Sequence, residues 1–192
     1  MSAWLRNRAY RSGLPLLGAM ACWLVACALL LATGTARGQE ALEASVKAAY
    51  LFKFLAYVDW PAAALPNADS PQVIGIMDAD DVHAELQRLV AGRHVNGHPL
   101  VARRLASGGS VEGLHVLYLG RHTKLSSVMP ALQGQPTLTV TDAPAGLVEG
   151  AVLNFVLVQG RVRFEASLPA AEHAGLKLSA RLLAVAERVL TP

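Results

Sequence analysis

The most metal-like cluster in the sequence follows an apolar, β-prone run at residues 72–77. Asp78, Asp80 and Asp81, with His83 close behind, offer oxygen and nitrogen donors of the kind that bind cations. The spacing matches no calcium loop, which needs a glycine at the sharp turn and a closing glutamate. Because apolar residues recur at helical spacing after Asp81, helix capping explains the aspartates better, and we predict no metal.

The sequence also lacks clear motifs for zinc binding, nucleophilic catalysis or phosphate binding. The nearest histidine pair, His94 and His98, flanks Asn96-Gly97, which is typical of a turn rather than of a helix that would hold zinc. The sequence has no Gly-x-Ser-x-Gly elbow, and the SGGS stretch at 107–110 lacks the lysine of a phosphate loop. We therefore predict no catalytic residue and no cofactor, and an envelope hydrolase is the least favoured function.

The C-terminal strands carry the remaining polar candidates. Asn154 is the one polar residue in the apolar run 151–158, and a buried unpaired amide costs about 1–3 kcal/mol, so we expect it to tie a neighbouring loop to the sheet. Arg161 and Arg163 share one face of an alternating strand at 161–166. They are either solvated or in contact with an anionic ligand or an acidic partner.

An aromatic helix is predicted over residues 41–59 and ended by Trp60-Pro61. It is apolar almost all round, so it is either buried on all sides or keeps part of its surface for a partner. Helical spacing predicts a sheet-facing side made of Val46, Ala49, Phe52 and Ala56. The partner-facing side is drawn from Tyr50, Phe54, Tyr57 and Val58, with Lys53 and Trp60.

Strands and helices alternate through the rest of the chain. Strands are predicted at 72–77, 100–105, 114–119, 137–141, 151–158 and 161–166, and further helices after Asp81 and at 124–132, 170–174 and 180–190. Gln159-Gly160 joins the last two strands as a hairpin. The pattern predicts a single-domain α/β sandwich with a mostly parallel sheet, an antiparallel C-terminal hairpin and helices on both faces.

Residues 1–38 have the form of a secretory signal peptide, with early arginines, a long apolar run and a small, polar end. Cleavage after Gly38 is favoured and cleavage after Ala36 is the alternative. An uncleaved membrane anchor and a lipoprotein, suggested by the LVAC stretch at 24–27, are less favoured readings. We therefore expect a periplasmic protein whose folded domain is 39–192.

Charge and cysteine content narrow the class of this domain. The leader holds four of the 17 Lys and Arg and none of the 14 Asp and Glu, which leaves 13 basic against 14 acidic residues. A nucleic-acid-binding domain needs a basic face, so we predict no nucleic acid. Both cysteines lie in the leader, and the exported domain therefore has no disulfide.

Four blocks resemble the YfiR-like family of exported proteins. They are VKAAYLFKFLAYVDWP, LHVLYLG, TLTVTD with the stretch up to EGAVLNFV, and the tail GRVRFEASLPAAEHAGLKLSARLLAVAERVL, and they cover nearly all of residues 45–190. The resemblance implies a non-catalytic periplasmic α/β protein. It would bind the periplasmic sensory domain of an inner-membrane diguanylate cyclase, lower cyclic di-GMP synthesis and biofilm formation, and be released by an outer-membrane-associated protein or by redox stress. Leu114 stands where many relatives have a cysteine, which removes the basis for redox control.

We expect binding through aromatic anchors and basic residues, namely Tyr50, Lys53, Phe54, Tyr57, Trp60, Arg161 and Arg163. The alternative is a small-ligand sensor that feeds a membrane kinase or receptor. Its pocket would lie at the carboxyl ends of the parallel strands, near Asp78, Gly120 and Asp142. The sequence leaves the oligomeric state open, with a homodimer as one alternative.

Overall fold

The computed structural model describes residues 38–67 and 69–192. The predicted leader, its cleavage points and the lipoprotein-like stretch lie outside those residues, apart from Gly38. Residues Ala41–Pro192 form one compact unit. None of the helices in the described part of the chain is long and apolar enough to cross a membrane.

The described chain alternates strands with helices. The strands are β1 (Val58–Asp59), β2 (Gln72–Met77), β3 (His94–Val95), β4 (His98–Leu105), β5 (Val116–Leu119), β6 (Leu138–Thr141), β7 (Leu153–Val158), β8 (Arg161–Ser167), β9 (Lys177–Leu178) and β10 (Arg188–Leu190). The helices are α1 (38–54), α2 (Asp80–Val90), α3 (Leu125–Val128), α4 (Leu168–His173) and α5 (Ala180–Leu183), with 3-10 turns at Ala62–Ala64 and Met129–Leu132.

One sheet organises these elements, with the strand order β10-β8-β7-β6-β5-β2-β4-β3. Neighbouring strands are parallel except in the hairpins β7-β8 and β3-β4. The short strands β1 and β9 form a separate antiparallel pair. The predicted α/β fold, with a mostly parallel sheet and a C-terminal hairpin, is confirmed.

Helices cover both faces of the sheet, as expected for an α/β sandwich. Successive strand residues point to opposite faces, and β5 shows the consequence. Tyr118 belongs to the larger apolar cluster, which contains buried residues of α1 and α2. Leu117 and Leu119 belong to a second cluster with Leu125 and Val128 of α3. The strands that join these clusters are buried on both sides, which accounts for their continuous apolar sequence.

The hairpin between β7 and β8 follows from its two turn residues. Gln159 and Gly160 have φ of 50° and 71°, as a two-residue turn with positive φ at both positions requires. The predicted hairpin is confirmed, and along β8 Val162 is buried while Arg161 and Arg163 are exposed.

The C-terminal segment differs from its prediction. Helix α5 ends at Leu183, and Arg188–Leu190 form β10, so the helix predicted over 180–190 is wrong. Ser179 caps α5 as predicted, because its side chain accepts a hydrogen bond from the Leu182 amide at 3.2 Å. Strand β10 pairs in parallel with the outer edge of β8, and this backbone pairing outweighs the helical spacing of the side chains.

The aromatic helix also differs in its end and its buried side. Helix α1 ends at residue 54 rather than 59, and Val58–Asp59 pair with β9 instead. The predicted sheet-facing side is wrong, because Val46, Ala49 and Phe52 are only half-buried and Ala56 is exposed. The residues that this segment buries are Ala44, Lys47, Ala48, Leu51, Phe54, Leu55 and Val58.

Candidate functional site

The predicted binding residues of α1 begin at an aromatic cluster. Phe54 is 1% exposed and lies edge-on to Phe164, with ring centroids 5.1 Å apart. Tyr50 is half-buried and contacts Phe54, Phe155 and Phe164 at centroid distances of 5.7 to 5.9 Å. Phe54 is therefore part of the core and supports the surface from beneath, whereas Tyr50 keeps an exposed part.

Lys53 and Tyr57 lie at the outer surface where α1 ends. Lys53 is exposed, and the Tyr57 side chain is 38% exposed although its backbone is fixed. The Tyr57 amide donates to the Phe54 carbonyl and the Tyr57 carbonyl accepts from the Ser179 amide, both at 3.0 Å. A large amphipathic side chain on a fixed backbone loses little entropy on binding, which is what an interface anchor requires.

Trp60 is half-buried and fixed to the sheet. Its indole Nε1 donates to the His115 carbonyl at 3.3 Å, and its ring lies 6.1 Å from the His115 ring. The His115 Nδ1 accepts from the Val73 amide at 3.1 Å and its Nε2 lies 3.1 Å from the Ala64 carbonyl. Burial lowers the pKa of His115, which keeps the ring neutral between these backbone groups.

The two hairpin arginines lie on a different surface from α1. Val162 and Phe164 pack in the cluster that contains α1, so the alternation of β8 places Arg161 and Arg163 on the opposite face of the sheet. Both arginines are exposed, and neither forms an ion pair within residues 38–67 and 69–192. Apart from the buried Phe54 and the half-buried Trp60, which are fixed to the core and the sheet, the predicted binding residues form two surfaces. They are the α1 surface (Tyr50, Lys53, Tyr57) and the hairpin surface (Arg161, Arg163).

A buried ion pair joins α1 to the sheet. Lys47 is 6% exposed, and its Nζ lies 2.7 Å from Asp142 Oδ2 and 2.6 Å from Glu43 Oε1. Arg121 approaches the same Asp142 oxygen at 3.6 Å. Burial, reinforced by the Asp142 charge, raises the pKa of Tyr118 well above its usual value, so its phenol stays protonated.

Sequence reasoning missed this pair, although α1 carries a signal for it. Lys47 falls on the same helical stripe as Ala44, Ala48 and Leu51, all of which are buried. A lysine on an apolar stripe is rarely fully buried unless it is paired. Its position therefore indicates a buried acidic partner, and Asp142 follows a strand that the α1 stripe covers.

Asp78, the first aspartate after β2, is held by hydroxyl groups and does not cap α2. Asp78 accepts from the Ser107 hydroxyl at 2.8 Å and from the Thr123 hydroxyl at 2.9 Å. The residue at the N-cap of α2 is Ala79, so the capping prediction is wrong, although Asp80 and Asp81 lie in the first turn. Among the described residues no group of three or more His, Cys, Asp or Glu is placed to hold a metal ion.

The predicted ligand pocket at this edge is reduced by close packing. A Cβ on Gly120 would lie 2.2 Å from the Asp78 carbonyl oxygen, so β2 and β5 leave no crevice there. The space beside Asp142 measures about 20 Å³, room for a single water molecule. An open cleft of about 600 Å³ remains between Asp78 and Arg104. Arg104 pairs with Asp80 across this cleft.

Asn154 has the structural role that the sequence predicts. It is 3% exposed, and with its amide oriented to match its neighbours it donates to the carbonyl oxygens of Thr141 and Ala143 at 3.1 Å. These bonds tie the loop after β6 to β7. A Cβ on Gly146 would lie 2.7 Å from the Asn154 side chain and 2.3 Å from the Thr141 methyl group, so the loop packs tightly here.

Comparison with curated proteins finds no matching relative. A protein-family model described as YfiR/HmsC-like matches residues 44–187, a span that runs from α1 nearly to β10 and includes both the α1 surface and the hairpin surface. The chain therefore belongs to the YfiR/HmsC-like family.

Proposed function

We propose that the protein is a periplasmic regulator that binds the sensory domain of an inner-membrane diguanylate cyclase. Binding would hold down cyclic di-GMP synthesis and with it biofilm formation. The observation that carries the proposal is membership in a regulatory, non-catalytic family of periplasmic proteins, over nearly the whole folded domain. The described residues add exposed aromatic and basic side chains that suit protein binding better than catalysis.

The α1 surface is the first proposed contact with the cyclase. Tyrosine is enriched among residues that dominate binding energy, and Tyr57 presents its ring on a backbone already fixed by Ser179. Lys53, in the last turn of α1 and four residues before Tyr57, adds a charge at the rim. Tyr50 continues the same side of α1, where its ring rests on the aromatic cluster.

The hairpin surface is the second proposed contact. Arg161 and Arg163 stand two residues apart on β8 opposite Val158 and Val156, so their guanidinium groups flank half-buried apolar side chains. Arginine forms bidentate hydrogen bonds with carboxylates, which makes an acidic partner segment the natural complement. The two surfaces lie on opposite faces of the sheet and can therefore serve two partners. The α1 surface suits the cyclase, and the hairpin surface suits the outer-membrane-associated protein that releases the regulator.

Site-specific photocrosslinking in cells tests the α1 contact. A photoreactive phenylalanine analogue replaces Tyr57, and a matched variant carries it at Val101, which is 43% exposed on β4. We expect the Tyr57 variant to crosslink an inner-membrane diguanylate cyclase, identified by mass spectrometry, and the Val101 variant not to. Equal crosslinking of the cyclase from both positions would contradict an α1 contact.

The same experiment separates the alternative function. A small-ligand sensor that feeds a membrane kinase or receptor would place that protein, and not a cyclase, in the Tyr57 crosslink.

Charge reversal by Arg161→Glu with Arg163→Glu tests the hairpin surface. With the photoreactive analogue placed at Val158, which pairs with Arg161 on the hairpin, we expect the charge reversal to abolish crosslinking to an acidic partner segment. The fold should stay intact, because both arginine side chains are exposed.

A further inference from the structure

A cavity of about 490 Å³ lies near the amino ends of the parallel strands, at the opposite end of the sheet from Asp78 and Asp142. Its floor is the start of β6 and the residue before β7, and its walls are the 3-10 turn Met129–Leu132 and α4. A second cavity of about 570 Å³ adjoins it and reaches His115. Both are open to solvent on one side, and each volume falls in the range of small-molecule sites.

The larger part of the cavity wall is apolar. Leu132 and Leu147 are 7% exposed, Val152 is 1% exposed, and Met129 is half-buried beside them. Among the described residues that line the cavity there is no Lys, Arg, Asp or Glu, and His173 is the only titratable side chain. A charged ligand would lose part of its hydration without gaining a lysine, arginine or carboxylate counter-charge, so the lining disfavours phosphates and carboxylates.

Three buried hydroxyl groups line the cavity. Thr137 donates its proton to the Leu114 carbonyl at 2.9 Å, and Thr139 and Ser167 are the other two. Thr139 is 3% exposed and its Oγ1 accepts from the Val152 amide at 3.0 Å. Ser167 is 5% exposed and its Oγ accepts from the Ala170 amide at 3.3 Å. Within the described part of the chain neither hydroxyl donates to a protein acceptor. Each one therefore has a proton to donate to a ligand.

We propose that this cavity binds a small, uncharged, mainly apolar molecule that carries a hydrogen-bond acceptor such as a carbonyl oxygen. The apolar body packs on Met129, Leu132 and Leu147, and the acceptor receives a hydrogen bond from Thr139 or Ser167. The site is separate from the α1 surface and from the hairpin arginines, although Ser167 is the last residue of the strand that carries those arginines. Ligand binding is thus testable without any partner protein.

The test uses prodan, an uncharged naphthalene ketone whose emission shifts to the blue in apolar surroundings. Titration into the purified protein should give a saturable blue shift with a stoichiometry of one. Anilinonaphthalene sulfonate, an anionic probe of similar size, should bind at least tenfold more weakly. Equal binding of the two probes would overturn the uncharged class of ligand.

A matched pair of variants locates the site. Ser126 is exposed and lines the cavity, whereas the adjacent Ser127 is exposed and does not. Ser126→Trp should fill the cavity and weaken prodan binding at least tenfold, and Ser127→Trp should leave it within twofold of the wild type. Gln133→Trp, from another exposed position in the lining, should repeat the Ser126 result.

Thermal unfolding midpoints of the three variants verify that each is folded before binding is measured. Prodan binding that is absent, not saturable, or unchanged in both Ser126→Trp and Gln133→Trp would overturn the proposal.

Discussion

Replacing Lys47 with methionine removes one charge of the buried ion pair and keeps most of the apolar stem. The Asp142 side chain is 8% exposed, so the variant leaves a carboxylate out of water without its main partner. Removing one member of a buried pair costs about 3–5 kcal/mol. Arg121, half-exposed at 3.6 Å, remains to compensate in part, which places the expected loss near the lower end, about 3 kcal/mol.

Urea unfolding, followed by circular dichroism, measures this loss directly. Thermal unfolding gives a second measure. At about 2–4 °C per kcal/mol for a domain of this size, a loss of about 3 kcal/mol should lower the unfolding temperature by roughly 6–12 °C. Lys53→Met is the matched control, because Lys53 is on the same helix and exposed, and it should change stability by less than about 0.5 kcal/mol. The double variant Lys47→Met with Asp142→Leu replaces both charges by apolar groups and should recover most of the loss.

Either of two results would contradict a stabilising role for this ion pair. One is a Lys47→Met variant that is as stable as Lys53→Met, which would mean that the charge pair adds nothing. The other is a double variant whose loss equals the sum of the two single losses, since independent sites add and coupled sites do not.

Two further predictions concern the loops that hold the sheet together. Burial lowers the pKa of His115 below its usual 6.5. As the pH falls, the unfolded chain therefore binds the proton before the folded chain does. The neutral ring stabilises the fold above pH 6.5, and this contribution is lost as the pH falls below that value. Urea midpoints at pH 7.5 and pH 5 should show the loss, and His115→Gln should reduce the difference; an unchanged pH dependence would contradict the role of the ring. Gly146→Ala should lower the free energy of unfolding by about 1–3 kcal/mol, because the added Cβ would lie 2.3 Å from the Thr141 methyl group. A variant that unfolds at the same urea concentration as the wild type would contradict this packing.

Local signals in the sequence predict the middle of the fold well. The run at 72–77 and the helical spacing after it give β2 and α2, because a buried strand and an amphipathic helix are each defined by their own residues. The turn at Gln159-Gly160 gives the hairpin for the same reason. Two segments predicted as helix form strands instead, because they pair with residues distant in the sequence. Val58–Asp59 pair with β9, and Arg188–Leu190 pair with β8.

The candidate site divides in the same way. The exposure of Arg161 and Arg163 follows from the alternation of β8, which is visible in the sequence. Helical spacing predicts the wrong buried side of α1, because a helix that is apolar almost all round has no clear polar face to orient it. Lys47 orients α1 through a partner 95 residues away, and only the fold brings the two together.

In the proposed function, the protein lowers cyclic di-GMP synthesis by binding a cyclase through its exposed aromatic and basic residues. The most direct measurement is the cyclic di-GMP content of cells that lack the gene, compared with cells complemented by the wild type or by Tyr57→Ala. We expect deletion to raise the cyclic di-GMP concentration, the wild type to restore it, and Tyr57→Ala to fail at equal protein abundance. A concentration that is unchanged by deletion would contradict the account.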